Sequence, residues 1–143
     1  MKKSAVSSNE LLSLISEWQK LEDSTIKSAD ETISKTKNSL VKMTMEMIKS
    51  DSQKHKIMQQ MLIDNLTKEA IHLNSDDLAP LSAMLNKHME EEARSLALAD
   101  AALEKSQDFI TRYILSYLIA DETKHHALLN KLNELKRATV FVT

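Results

Sequence analysis

An internal repeat limits the possible folds most strongly, because the second half of the chain resembles the first at an offset of 70 residues. The segment 51–55, DSQKH, returns as DETKH at 121–125. Other identical pairs at the same offset include Glu22 and Glu92, Ala29 and Ala99, Asp30 and Asp100, Lys35 and Lys105, and Leu62 and Leu132. Repetition at a fixed offset is typical of duplicated structural units. The sequence therefore predicts that the unit of architecture is about half the chain.

The composition favours helices for that unit. The chain of 143 residues has no Gly and one Pro, which leaves little turn chemistry for β-hairpins, whereas its Leu, Ala, Met, Lys and Glu favour helix. Apolar residues recur with helical period in four stretches, at about 8–36, 39–66 or 39–73, 80–106 and 108–138. Four amphipathic helices of similar length predict an all-α fold, a four-helix bundle in one domain spanning residues 1–143.

Capping residues mark the predicted helix boundaries. Ser7, followed three residues later by Glu10, forms a capping box at the start of the first helix. The stretch Lys37-Asn38-Ser39 supplies cap chemistry before the second helix, and Asp108 caps the fourth. Pro80 fits the first turn of the third helix, where a missing N–H costs least.

Where the second helix ends decides the topology. If it stops near Asn65, the stretch 66–79 is long enough for a crossover that spans the bundle, and the second and third helices run parallel. If the periodic pattern continues to Leu73, only a short turn remains and the bundle is up-down-up-down. Periodicity favours the second arrangement, since Leu66 and Leu73 lie on the same helix face as His55.

Charge and cysteine content exclude several classes of function. The net charge of -2 and the pI near 6.2 provide no basic surface for nucleic acid or an anionic membrane. The absence of Cys excludes disulfides, thiolate zinc sites and iron–sulfur clusters. No apolar run reaches the roughly 18 residues that a membrane span needs. We therefore expect a cytoplasmic protein that binds neither nucleic acid nor membrane, and we expect a homo-oligomer.

Each predicted helix carries one polar residue in the middle of its apolar face: Glu22, His55, Glu92 and His125. Around Glu22, for example, Leu11, Ile15, Ala29 and Ile33 lie within roughly 20° on a helical wheel. Each of the four polar residues lies about midway along its helix, so all four can meet at one level of a bundle core. Buried carboxylates need partners, which predicts either mutual hydrogen bonds or a metal ion.

Neighbouring residues extend this candidate site. Glu122 precedes His125 by three residues, the Glu-x-x-His spacing that places a carboxylate and an imidazole on one helix face. Asp51 and Asp121 lie one turn before His55 and His125, and His88 lies one turn before Glu92. Because a metal-bound His usually donates its other N–H to a carboxylate, we predict that Asp51, His88 and Asp121 support the site or substitute as ligands.

These residues resemble the ferritin-like superfamily, especially its rubrerythrin-like branch, which has a Glu on the first and third helices and Glu-x-x-His on the second and fourth. The resemblance covers nearly the whole chain and favours the crossover topology. It implies that Glu22 and Glu92 are terminal carboxylates, that Glu122 bridges two metals, and that His55 and His125 are imidazole ligands. The chain departs from this pattern at Ser52, which stands where a second bridging Glu is expected.

The sequence therefore supports two hypotheses. The first is a non-haem di-metal carboxylate protein that holds iron or performs redox chemistry on oxygen or peroxide, as a ferroxidase-like or peroxidase-like oxidoreductase. Iron suits the carboxylate and imidazole ligands, and manganese or zinc could replace it. The second is a metal-free helical bundle with a structural or interaction role, in which the Glu and His residues form a hydrogen-bond network and Ser52 marks the loss of the site. We expect His126 to be solvated in either case.

Overall fold

The protein is described by a computed structural model that covers the backbone of residues 2–72 and 75–142 and, within that range, the side chains of 9–72, 76–77, 79–80 and 83–135. Every regular element in this part of the chain is a helix: α1 (Lys2–Lys35), α2 (Ser39–Thr67), α3 (Ser75–Leu78), α4 (Leu81–Lys105) and α5 (Phe109–Val142). The predicted all-α fold class, with four long helices, is confirmed.

Helices α1 and α2 form an antiparallel hairpin, which we call the first hairpin. Within the predicted capping stretch 37–39, Asn38 is the residue that caps α2, since its side-chain oxygen accepts hydrogen bonds from the backbone N–H groups of Leu40 and Val41 at 3.0 and 3.1 Å. Ion pairs between the helices fix their register: Asp30 meets Lys49 near the turn, and Asp23 meets Lys56 two turns further along.

Helices α4 and α5 form the second hairpin, and a short turn connects them. Asp108 begins α5 by accepting a hydrogen bond from the Thr111 N–H at 2.9 Å, as the sequence predicts. Arg112 stabilises the turn, because its guanidinium donates hydrogen bonds to the backbone carbonyls of Leu103 and Ser106 at 2.8 and 3.1 Å. Pro80 precedes α4 as its N-cap, one position earlier than predicted.

The chain divides into two compact units, Met1–Ile71 and His72–Thr143, each of which contains one hairpin. Their length of 71 or 72 residues agrees with the repeat of 70 residues. Duplication of the hairpin and the single domain of 1–143 both stay predictions.

Buried residues in the first hairpin follow a seven-residue spacing. On α1 these are Ile15, Glu22 and Ala29, and on α2 they are Ser52 and Gln59. This spacing keeps one stripe of each helix turned towards its neighbour, as in coiled coils. In the second hairpin, Leu85 is buried at the position equivalent to Ile15. Polar residues therefore occupy the middle of the helix–helix contact in the first hairpin.

Two of the predicted helix ends are wrong. Helix α1 begins at Lys2 rather than near residue 8, so the Ser7 capping box lies inside the helix. Helix α5 continues to Val142 rather than ending near 138. The stretches added are free of Gly and Pro, and the other residue types each cost a helix at most about 0.7 kcal/mol. Cap signals and β-branched residues alone therefore do not end these helices.

Helix α2 ends at Thr67, so the alternative helix over 39–73 is wrong. At Lys68 the backbone adopts an extended conformation. The Asn65 side chain accepts a hydrogen bond from the Ile71 N–H at 2.8 Å, which stabilises the non-helical backbone after α2. The connection to α4 is residues 68–80 and includes the short α3. Because four of these thirteen residues are helical, the connection is shorter in reach than the fully non-helical stretch 66–79 that the crossover assumes. The ferritin-like topology itself stays a prediction. Across the described residues, no helix combines the length and apolar character that membrane crossing requires.

Candidate metal centre

Three predicted ligands, Glu92, Glu122 and His125, come together in the second hairpin, and we call them the Glu92 triad. One ligand atom from each residue lies within 4.8 Å of the others, and all three side chains are half-buried. Atoms bound to one first-row metal ion at about 2 Å lie roughly 3 to 4 Å apart, so small side-chain rotations suffice to close the triad around an ion. Among the described residues, this is the one group of three or more His, Asp or Glu with such spacing.

The helix geometry explains why these residues meet. Glu92 lies seven residues after the buried Leu85, so it falls on the stripe of α4 that faces α5. Glu122 and His125 are three residues apart on α5 and therefore share one face of that helix. His125 Nδ1 approaches Glu92 Oε1 at 3.8 Å across the hairpin.

Electrostatics identify Glu92 as the centre of the triad. Its pKa is raised above the usual value of 4.5, first by hydrogen bonding to Glu122, then by burial and by the negative charge of Glu122, against a smaller opposing effect of His125 and His88. Its Oε2 atom is buried and has no hydrogen-bond partner. Two carboxyl groups that face each other in this way repel when both are ionised, and a shared proton or a cation removes that repulsion.

Asp121 lies where a supporting carboxylate is predicted. His125 Nε2 is 3.6 Å from Asp121 Oδ2, while Nδ1 faces Glu92, so the imidazole lies between two carboxylates. Lys124 pairs with Asp121 at 3.0 Å. His88 instead turns to the exposed Glu91, with Nδ1 at 3.8 Å from its carboxylate. Of the supporting residues predicted for the second hairpin, Asp121 contacts a ligand directly.

In the first hairpin, Glu22 is surrounded differently. Its side chain is 9% exposed, and Oε1 receives two contacts: His55 Nδ1 at 3.3 Å and Gln59 Nε2, which donates at 3.5 Å. Gln59 is 2% exposed, and its own Oε1 is buried without a partner. We call Glu22, His55 and Gln59 the Glu22 cluster. It contains one carboxylate, whereas the Glu92 triad contains two.

The predicted ligands thus fall into two groups, Glu22 with His55 and Glu92 with Glu122 and His125. Their assembly into one di-metal centre stays a prediction. Within the described residues, no hydrogen bond or ion pair joins Asp51 to His55, unlike Asp121 and His125.

Sequence reasoning missed Gln59, because an amide is not among the usual metal ligands. The signal was its position, seven residues after Ser52 and equivalent to Leu129 in the repeat, where an apolar residue is expected. The expectation that His126 is solvated is wrong, since it is half-buried and its Nδ1 is buried without a partner.

Comparison with known proteins finds no matching family model, no matching curated protein and no matching solved structure.

Proposed function

We propose that the protein binds a transition-metal ion through the Glu92 triad of its second hairpin. The observation that carries this proposal is the meeting of Glu92 and Glu122, which leaves a buried carboxylate oxygen without a donor beside a second carboxyl group. A divalent cation neutralises both carboxylates at once, and His125 completes a set of three ligands. Three protein ligands leave positions on the ion for water or substrate, as in catalytic metal sites.

The donor set suits several divalent metals, and iron is the one we propose. The carboxylates are hard ligands and the imidazole is of intermediate softness. Such ligands suit Fe(II) and Mn(II) and also accept Zn(II). The resemblance to ferritin-like proteins supports iron among these ions. With bound iron and open coordination positions, the centre would hold iron or react with oxygen or peroxide, as an oxidoreductase of the ferroxidase or peroxidase type. Asp121 would orient His125 by holding the ring nitrogen that faces away from Glu92.

A metal-free network is the rival function. The raised pKa of Glu92 supports it, because a proton shared between Glu92 and Glu122 also removes the repulsion between them. In that case the triad would be a hydrogen-bond network in a structural or interaction protein. The two functions predict different effects of metal on stability. A metal ion that binds the native state in preference to the unfolded chain raises the melting temperature, whereas a metal-free network is unaffected by added metal.

The test is metal content after purification, together with thermal melting in the presence of chelator and with added Fe(II) under anaerobic conditions. We expect bound metal in the wild type and a higher melting temperature with Fe(II). Glu92→Gln should abolish both effects, because it removes the carboxylate at the centre of the triad. Glu90→Gln is the matched control, since it makes the same change on an exposed position of α4 and should leave metal binding unchanged.

A wild-type protein that contains no metal and melts identically with chelator and with Fe(II) would contradict the proposed function. The same follows if Glu90→Gln and Glu92→Gln reduce binding equally, since the ion would then be attracted by surface charge rather than held by the triad.

A further inference from the structure

We propose that Gln59 excludes metal from the first hairpin, so that its amide in place of a carboxylate limits the chain to one metal centre. This inference rests on the proposed function of the Glu92 triad and names the residue that makes the two hairpins differ. The Glu22 cluster has the other components of such a site: a buried carboxylate on the first helix of the hairpin and a His facing it from the second.

The contacts of Gln59 show how the exclusion works. Its Nε2 is 3.5 Å from Glu22 Oε1, the same oxygen that His55 Nδ1 approaches at 3.3 Å. An amide nitrogen donates hydrogen bonds and offers no lone pair to a metal. A flip of the amide would present an oxygen to the ion but no second negative charge. The position next to Glu22 that a cation needs is therefore occupied by N–H hydrogens.

Burial strengthens this effect. Gln59 is the most buried large side chain of the described residues at 2% exposed, and Ser52, one heptad earlier on α2, is 5% exposed. Water has little access to Glu22, so the carboxylate depends on its protein partners. The amide and the imidazole supply them without any ion.

The repeat shows which residues changed between the hairpins. Glu122 in the second hairpin corresponds to Ser52 in the first, and Leu129 corresponds to Gln59. The second hairpin therefore has a carboxylate where the first has a hydroxyl, and an apolar residue where the first has the amide. Ser52 alone leaves the first hairpin one ligand short, and Gln59 then fills the space beside Glu22.

A single isosteric substitution tests this role. Gln59→Glu replaces the amide nitrogen with a carboxylate oxygen beside Glu22 and His55, which gives the first hairpin two carboxylates and one imidazole. The experiment uses full-length His125→Ala protein, in which the Glu92 triad is disabled, and compares it with His125→Ala/Gln59→Glu. Binding is measured by calorimetry with Fe(II) under anaerobic conditions and by the visible absorption of added Co(II), which reports the coordination geometry of the bound ion.

We expect no ion bound by His125→Ala and about one per chain bound by His125→Ala/Gln59→Glu, with the gain lost again on His55→Ala. The matched control is His125→Ala/Gln53→Glu, which makes the same substitution at an exposed position of α2 and should bind none. A reciprocal variant, Glu122→Gln, introduces an amide at the Glu92 triad without burying a new charge and should reduce Fe(II) affinity at least about tenfold.

The inference is overturned by any of three results. The first is an ion bound by His125→Ala that is lost on His55→Ala, since the first hairpin would then bind metal with Gln59 in place. The second is a folded His125→Ala/Gln59→Glu protein that binds nothing. The third is Glu122→Gln with unchanged affinity, because an amide would then not exclude metal. Failure of the wild type to bind any ion would instead contradict the proposed function. The binding of an ion by His125→Ala/Gln59→Glu could still be measured in that case.

Discussion

The two hairpins place a Glu at the same point of the repeat and surround it with different partners. Glu22 receives an amide N–H and faces an imidazole, whereas Glu92 faces an imidazole and a second carboxyl group. Burying a carboxylate is unfavourable in both hairpins. The first hairpin compensates with a hydrogen-bond donor from its own chain, while in the second a proton or a cation would remove the repulsion between Glu92 and Glu122. The partners differ at two positions of the repeat, Ser52 and Gln59 in the first hairpin and Glu122 and Leu129 in the second. In our proposal, this difference separates a structural network from a metal centre.

The largest expected difference between the hairpins is in metal-dependent stability. An ion at a concentration of a hundred times its Kd stabilises the native state by about 2.7 kcal/mol. We predict that His125→Ala removes this stabilisation and that His55→Ala retains it, because His125 belongs to the Glu92 triad. Thermal melting with and without Fe(II) measures both. Equal loss in the two variants would mean that the histidines serve one shared centre, as in the di-metal arrangement that the resemblance implies.

A second prediction concerns the hydrogen bond of Gln59. Gln59→Leu copies the residue of the second hairpin and leaves Glu22 with His55 alone, which should destabilise the protein by about 2 kcal/mol, as expected for a lost hydrogen bond to a charged group. Glu22→Leu/Gln59→Leu should be more stable than Gln59→Leu, because both polar partners are then replaced together. Chemical denaturation in chelator measures this double-mutant cycle. Additive effects would show that the two side chains are not coupled.

The pH dependence of the metal-free protein separates the hairpins further. A raised carboxyl pKa means that the folded state binds the proton more tightly than the unfolded chain, so this group favours folding at acid pH. This contribution to the free energy of unfolding is lost as the pH rises from 4.5 through the folded-state pKa of Glu92. We predict that Glu92→Gln weakens this pH dependence, as urea denaturation in chelator would show, whereas Glu90→Gln leaves it unchanged. Equal pH dependence of the wild type and Glu92→Gln would contradict the carboxyl pairing.

The smallest predicted effect lies at the helix caps, where the hairpins are alike. Asn38→Ala removes the acceptor for two backbone N–H groups of α2 and should destabilise the protein by about 1 kcal/mol. Asp108→Ala should also destabilise the protein, because it removes the acceptor for the Thr111 N–H at the start of α5. The Thr111 N–H lowers the pKa of Asp108, so its contribution is present near neutral pH and is lost as the carboxylate is protonated in acid. Melting at two pH values distinguishes the caps, since Asn38 does not titrate.

Much of the fold was predictable because it depends on local chemistry. Helical periodicity and the absence of Gly gave the four long helices, and the cap at Asp108 and the capping stretch 37–39 were predicted correctly. The ends near Ser7 and residue 138 were not, because a helix continues where nothing breaks it. The end of α2 depends on the Asn65 hydrogen bond to a residue six positions later, which periodicity does not encode.

The candidate site was partly predictable for a related reason. Glu92, Glu122 and His125 are ligand types at recognisable spacing, and the structure brings them together. The role of Gln59 depends on which side chain fills the space beside Glu22, and this is a property of packing between helices rather than of one helix. Ser52 indicated that the first hairpin lacks a ligand but did not indicate what replaces it.

The central claim is that the Glu92 triad binds metal and the Glu22 cluster does not. Anomalous diffraction from crystals of the full-length protein grown with Fe(II) tests it most directly, because it locates each ion. We predict one anomalous peak per chain, within coordination distance of Glu92, Glu122 and His125. A peak between Glu22 and His55, or no peak beside the Glu92 triad at full iron loading, would contradict this account.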